Sequence, residues 1–298
     1  MRINNVVIFT EISKKIGGGH YERASELKRK LNHKFNVTIN VNLSKIQIKK
    51  ICNAIKQPTL IIYDFKDHSK SIIKENINSI FILMESNKHY QKNVISIDPL
   101  NLNKGYYNGP RWSCYPNDFF EDLQFKKKEK NLLIAQGSTD AHGNIKKILS
   151  IIEPLILENN LQIFIKGSKF IHIPSKFKKF KNIKIINRIK KISSLLKKID
   201  FAITSCGNFC HEINFFGIKT MYVTSEPREI RRAKKLESLN FGKYVKINDK
   251  KGFKLELNNF VKDKNFDKRN IKKIRFFQHN GMLNLINLIL RITNNVQK

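Results

Sequence analysis

The residues best placed to do chemistry follow the first apolar run. Val6-Val7-Ile8-Phe9 leads into Ile16-Gly17-Gly18-Gly19-His20, and Tyr21-Glu22-Arg23 opens a helical stretch. Three glycines let the backbone turn tightly and let a ligand approach a helix N-terminus, whose free N–H groups attract anions. Such a turn suits a phosphate-bearing ligand. A histidine at the positive end of the helix dipole is expected to stay neutral, which leaves one ring nitrogen free to take a proton near pH 7. The alternative for His20 is a helix cap after an ordinary glycine turn.

Two further turns have the same form. Asn131-Leu132-Leu133-Ile134-Ala135 runs into Gln136-Gly137-Ser138-Thr139-Asp140, where the glycine and two hydroxyls could cradle a phosphate and Asp140 either caps the following helix or orients a neighbour. Thr204-Ser205-Cys206-Gly207-Asn208 then joins a strand to a helix carrying His211 and Glu212. The Glu212 carboxylate either accepts ribose hydroxyls or compensates the helix dipole. Ligands of open α/β sheets bind beyond the carboxyl ends of the strands, so each of these turns lies where a ligand is expected.

The elements that must carry these turns alternate between short β-rich runs and amphipathic stretches, the pattern of parallel strands joined by crossover helices. Strands are expected at 5–10, 37–41, 59–64 and 79–84, with helices at 21–35, 45–55 and 69–76. An irregular segment between 98 and 119, punctuated by Pro99, Gly105, Gly109, Pro110 and Pro116, reads as a long loop. The charged run from Lys126 to Lys130 marks an interdomain linker at 122–130, dividing the chain into domains 1–125 and 126–298. The second series has strands at 131–135, 161–165, 183–187, 200–204, 219–223 and 243–247. Its helices fall near 143–157, 189–198, 208–216 and 227–239, and Pro154 is expected to kink or end the first of them. A helix over 267–293 is placed to pack back on the first domain.

A chain of 298 residues is long enough for two domains with real cores. No run approaches the ~18 apolar residues of a membrane span, and the first strand lacks the features of a signal peptide, so a cytoplasmic protein is expected. The net charge of +33 is spread over both halves. Without zinc-finger spacing, a helix-turn-helix signal or an aromatic RNA-binding pattern, that charge argues against dedicated nucleic-acid binding and remains compatible with anionic substrates and peripheral contact with anionic membranes. The four cysteines make no disulfide framework, and Cys206, Cys210 and His211 lack a fourth ligand at a recognisable spacing, so no metal is expected.

Ile16-Gly17-Gly18-Gly19-His20 with Arg23 resembles the Ile-Gly-x-Gly-His-x-x-Arg signature of the UDP-sugar hydrolase of pseudaminic acid biosynthesis and its spore-coat-polysaccharide relatives. That family is similar in fold to the glycosyltransferase that makes lipid II. Gly137-Ser138-Thr139-Asp140 resembles its Gly-Gly-Thr-Asp, and the segment from Asp200 through Glu212 to Gly217-Ile218 resembles its strand, turn and helix. The pattern departs at Phe9 and Glu11, where the family has Arg and Asp, at Glu85-Ser86, where it has an acidic pair, and at Ser225-Glu226, where it has Asn-Gln. Glu226 introduces a negative charge that Arg228 or Arg231 would have to offset.

The resemblance implies an α/β glycosyltransferase-B fold, two Rossmann-like domains facing across a cleft, with UDP held chiefly by the C-terminal domain. It implies hydrolysis of a UDP-activated amino or deoxy sugar at the anomeric carbon, with His20 as general base and no cofactor. The nucleotide and sugar contacts it implies are Gly17, Gly18, Gly19, Arg23, Gly137, Ser138, Thr139, Asp140, Ser205, Gly207, Asn208 and Glu212. The alternatives on the same fold are a glycosyltransferase using a UDP-sugar donor and a non-catalytic nucleotide-sugar binder. The sequence does not fix the oligomeric state.

Overall fold

The structure is a computed structural model that describes residues 3–12, 19–65, 79–86, 92–103, 105–121, 130–137, 140, 142–157, 161–168, 171–187, 191–262 and 270–295. It divides into two compact units, Met1–Cys114 with His279–Lys298, and Tyr115–Gln278. The helix expected at 69–76 and the linker residues 122–129 lie outside the described residues.

In the first unit, β1 (Asn5–Thr10), β2 (Asn36–Val41), β3 (Thr59–Asp64), β4 (Ser79–Met84) and β5 (Val94–Ile97) form a parallel sheet in the order β2-β1-β3-β4-β5. The fifth strand, Val94-Ile95-Ser96-Ile97, is not among those expected, because its apolar run is only four residues long. Helices α1 (Gly19–Leu31) and α2 (Lys45–Ala54) follow β1 and β2. Ser44 starts α2 with a capping box, its side chain accepting from the Gln47 N–H while the Gln47 side chain accepts from the Ser44 N–H. Strand β3 is buried along its whole length, as a central parallel strand covered on both faces must be. On one face, Val6, Ile8, Leu60, Ile62, Ile82 and Met84 pack with Ala24, Leu27 and Leu31 of α1. The opposite face sets Phe9, Ile61, Tyr63, Phe81 and Leu83 against Ile48 and Cys52 of α2.

The second unit contains β6 (Asn131–Ala135), β7 (Gln162–Lys166), β8 (Ile183–Ile186), β9 (Phe201–Thr204), β10 (Lys219–Tyr222) and β11 (Lys243–Tyr244), parallel and ordered β11-β10-β9-β6-β7-β8. Its helices are α3 (Asn144–Leu157), α4 (Ser175–Lys178), α5 (Ile192–Leu196), α6 (Asn208–Phe215), α7 (Pro227–Ser238), α8 (Lys250–Lys262) and α9 (Ile271–Phe277). Pro154 does not end α3, which continues to Leu157. Ile148, Ile151, Ile152 and Ile156 are buried on either side of the proline, and that tertiary packing holds the helix across one missing hydrogen bond.

The single helix expected over 267–293 is two. Helix α9 stops at Phe277, and α10 (Gly281–Asn295) begins beyond Gln278, His279 and Asn280. Met282, Leu285, Leu288 and Ile289 of α10 join the core of the first unit beside α1, and the Asn284 side-chain amide donates to the Arg111 carbonyl at 2.7 Å. A Cβ on Gly281 would collide with the backbone of Trp112 and Ser113, so the helix starts on a glycine because the chain passes too close for any other residue.

Candidate active site

Strand order locates the candidate sites before any side chain is considered. In the first sheet the connections reverse direction between β1 and β3, and in the second between β6 and β9. Such switch points open a crevice at the carboxyl ends of the two strands. Thr10 ends β1, Asp64 ends β3, and the two stand opposite each other in register.

Helix α1 delivers His20 to that place. Its buried stripe is His20, Ala24, Leu27 and Leu31, spaced as one face of an α-helix. The stripe that packs the helix on the sheet therefore carries the imidazole inward above Asp64. His20 is 3% exposed and Asp64 1%. The His20 Nδ1 lies 2.6 Å from Asp64 Oδ1. Arg23, one turn along, donates from Nε to Asp64 Oδ2 at 2.6 Å and from Nη2 to Asp64 Oδ1, a two-point fork. The same Nη2 reaches Glu85 Oε1 at 3.3 Å.

The electrostatics follow from these contacts. Burial alone would raise the Asp64 pKa, but the Arg23 charge and the hydrogen bonds from His20 and Arg23 win and hold it at about 2. An ionised Asp64 only accepts, so His20 carries its proton on Nδ1 and leaves Nε2 as the basic nitrogen. Burial penalises the imidazolium, yet the hydrogen bond to Asp64 and the charges of Asp64 and Glu85 outweigh it and raise the His20 pKa above 6.5. This reverses the neutral imidazole expected from the helix dipole, because an ionised carboxylate in direct contact acts more strongly than the partial charge of a helix end. His20 is also no cap, since it lies inside α1 and bonds a side chain across the sheet.

Gly19 is the first residue of α1, and a Cβ there would meet no described residue within 4 Å; Gly17 and Gly18 lie outside the described residues. Arg23 is directed at Asp64 and Glu85, with 9% of its side chain exposed.

In the second unit, Gly137 holds φ +72°, and a Cβ there would meet no described residue within 4 Å, so the turn needs glycine for its backbone rather than for space. Ser138 and Thr139 are not among the described residues. Asp140 caps α3, accepting from the Asn144 N–H at 2.8 Å and the Ile145 N–H at 3.0 Å. Gly207 is the N-cap of α6 and leaves its first turn without a side-chain cap. Ser205 is half-buried, Asn208 exposed and Glu212 half-buried. Glu226, at the start of α7, accepts from His142 Nε2 at 2.8 Å, so its partner is His142 rather than Arg228 or Arg231.

Several polar groups at these strand ends were not evident in the sequence. Thr10 Oγ1, Gln136 Nε2 and Thr204 Oγ1 are enclosed with no hydrogen-bond partner among the described residues, and all three stand at the switch points. Buried groups are ordinarily paired, so unused donors at the carboxyl ends of β1, β6 and β9 suit an acceptor-rich ligand or ordered water. Asp64 had a readable signal: it closes the apolar run Leu60-Ile61-Ile62-Tyr63, and a carboxylate is not buried there without a cationic partner. His211, by contrast, is packed away. Burial and the Arg232 charge push its pKa down to about 3, and its ring meets Phe277 edge-on at 5.0 Å. No group of three or more His, Cys, Asp or Glu is placed to hold a metal ion among the described residues.

No protein-family model matches the sequence. The uncharacterized protein MJ1062 of Methanocaldococcus jannaschii is 27% identical over 263 residues, covering 72% of this chain and 54% of that protein, so the chain spans about half the length of this relative. Among solved structures, the chain is similar to the glycotransferase of kitacinnamycin (TM-score 0.60, 10% identity, 98% and 99% of the two chains covered). It is similar to MurG of Acinetobacter baumannii (TM-score 0.60, 12% identity, 96% and 99% covered) and to a UDP-N-acetylglucosamine 2-epimerase (TM-score 0.53, 9% identity, 94% and 92% covered). The chain therefore has the glycosyltransferase-B fold, built from two Rossmann-like parallel α/β domains. No helix among the described residues is long and apolar enough to cross a membrane.

Proposed function

We propose that this chain is an enzyme that breaks the anomeric C–O bond of a UDP-sugar, with His20 as general base and an acceptor hydroxyl as nucleophile. The observation that carries the proposal is the buried His20–Asp64 contact of 2.6 Å at the β1/β3 switch point. Asp64 fixes the Nδ1–H tautomer and stabilises the imidazolium once a proton has been taken. As Nε2 removes the proton from the acceptor O–H, that oxygen bonds to the anomeric carbon. The bond from the same carbon to the β-phosphate oxygen breaks, and UDP leaves with the electron pair. Backbone N–H groups of a strand-to-helix turn would share the charge of the leaving diphosphate.

Transfer is the leading reading because the kitacinnamycin protein is named a glycotransferase and others of similar fold are named glycosyltransferases. Hydrolysis, with water as nucleophile, is the second reading, favoured by the resemblance of Ile16 to His20 and Arg23 to the UDP-sugar hydrolase signature. The protein is incubated with a panel of UDP-sugars, with and without sugar or membrane-lipid acceptors, and UDP release is followed. Release that needs an acceptor and is lost in His20→Asn is the result expected of a transferase, and release without one that is lost in the same variant identifies hydrolysis. Full activity in His20→Asn refutes the mechanism.

A further inference from the structure

We infer that Glu85 is a positioning residue for the His20 base: by engaging the Arg23 guanidinium it fixes the Asp64 carboxylate that orients the imidazole. The inference rests on the reading of His20 as the base. Three elements converge on one cation. Arg23 comes from α1, Asp64 from the end of β3, and Glu85 from the residue that follows β4. The guanidinium gives its Nε and Nη2 to Asp64 and shares Nη2 with Glu85 at 3.3 Å. With the side chains of Arg23 and Glu85 only 9% and 11% exposed, water does little to screen the pair. Without a second anion, Arg23 would bind Asp64 alone and neutralise the charge that polarises His20.

The backbone at Glu85 makes the same point independently. Its φ is +57°, a left-handed conformation that is unfavourable for a non-glycine residue. Glycine or asparagine would relax that turn, yet the position holds a residue whose carboxylate reaches Arg23. Among the described residues, the groups facing the imidazole are Asp64, Glu85 and Arg23. Cys114, which faces Arg23 and Asp64, is kept neutral because burial pushes its thiol up to about 12. Glu85 thus tips the cluster to one net negative charge, which favours the protonated ring.

The test compares Glu85→Gln, which keeps an acceptor but no charge, with Glu85→Gly, which relaxes the backbone and removes the carboxylate. His20 is titrated by NMR of its ring Cε1–H in the full-length protein without substrate, and UDP release from the most active UDP-sugar is measured across pH. Both variants are expected to move the His20 midpoint and the acid limb of the rate to lower pH, with Glu85→Gly also losing roughly tenfold in plateau kcat, part of the ~10²–10⁴ that a positioned base contributes. A midpoint unchanged in both variants overturns the inference, whatever their melting temperatures. If the wild type cleaves no UDP-sugar, the proposed function fails by itself, and the ring titration still decides the role of Glu85.

Discussion

Replacing Asp64 by asparagine tests the site most sharply, because one atom exchange removes the charge that organises everything around it. In the wild type Asp64 is 1% exposed and takes two hydrogen bonds from Arg23 and one from His20. Its pKa is held at about 2 against an ordinary value of 3.8, a depression worth roughly 2–3 kcal/mol of folding stability at neutral pH. Asparagine forfeits that increment and leaves the Arg23 guanidinium without its main counter-charge, a situation that costs about 3–5 kcal/mol in buried pairs. For a unit of this size the melting temperature should fall by roughly 10 °C or more. Catalysis should suffer separately. Without an obligate acceptor at Nδ1 the ring loses its fixed tautomer, and UDP release should drop by about 10²–10⁴-fold even below the melting transition.

The pH dependence separates this account from a general loss of packing. A depressed carboxylate contributes stability that is present above 3.8 and lost as pH falls through about 2. The difference in melting temperature between wild type and Asp64→Asn should therefore be full at pH 5 to 7 and close between about 3.8 and 2. Differential scanning fluorimetry over that range measures it. An Asp64→Asn protein that melts within 2 °C of wild type at pH 7, or a gap that does not narrow in acid, would refute the reasoning.

Other consequences of the structure are open to the same methods. The His20 pKa lies above 6.5, so the acid limb of UDP release should have its midpoint above 6.5; a midpoint below it would exclude His20 as the titrating base. His20 also stabilises the fold through Asp64 fully below 6.5 and loses that contribution as pH rises through the raised value, so activity and this share of stability should move in opposite directions. Thr10→Val replaces an enclosed hydroxyl that has no hydrogen-bond partner among the described residues with a methyl group of similar shape and should leave stability unchanged or raise it by about 1 kcal/mol in urea unfolding; a loss above about 1 kcal/mol would mean that the hydroxyl is already bonded. Gly217 has φ +64°, and a Cβ there would stand 2.6 Å from Ile274 Cγ1, so Gly217→Ala should cost more than ~1 kcal/mol, whereas an unchanged unfolding midpoint would show that the turn after α6 is free to move.

The fold was legible to the extent that it rests on period and punctuation. The buried strands Asn5–Thr10, Thr59–Asp64 and Asn131–Ala135 are apolar runs bounded by polar or turn residues, and local sequence is enough to reveal them. Tertiary packing made the differences. The run through Pro154 stays helical because isoleucines on both sides are buried, and the final helix breaks because its second half belongs to the other unit's core.

The site was legible only in part, for a related reason. His20 announces itself through the glycines before it, and Arg23 follows at the spacing that puts both on one side of α1. Their common partner is 41 positions beyond Arg23 and reads as the last residue of a strand. Only the pairing of β1 with β3 brings Asp64 beneath α1. That contact then reverses the proton affinity inferred from the helix end alone. A helix terminus is visible in sequence, but the carboxylate that overrules it depends on strand order, so the chemistry of His20 is a property of the sheet as much as of the turn that carries it.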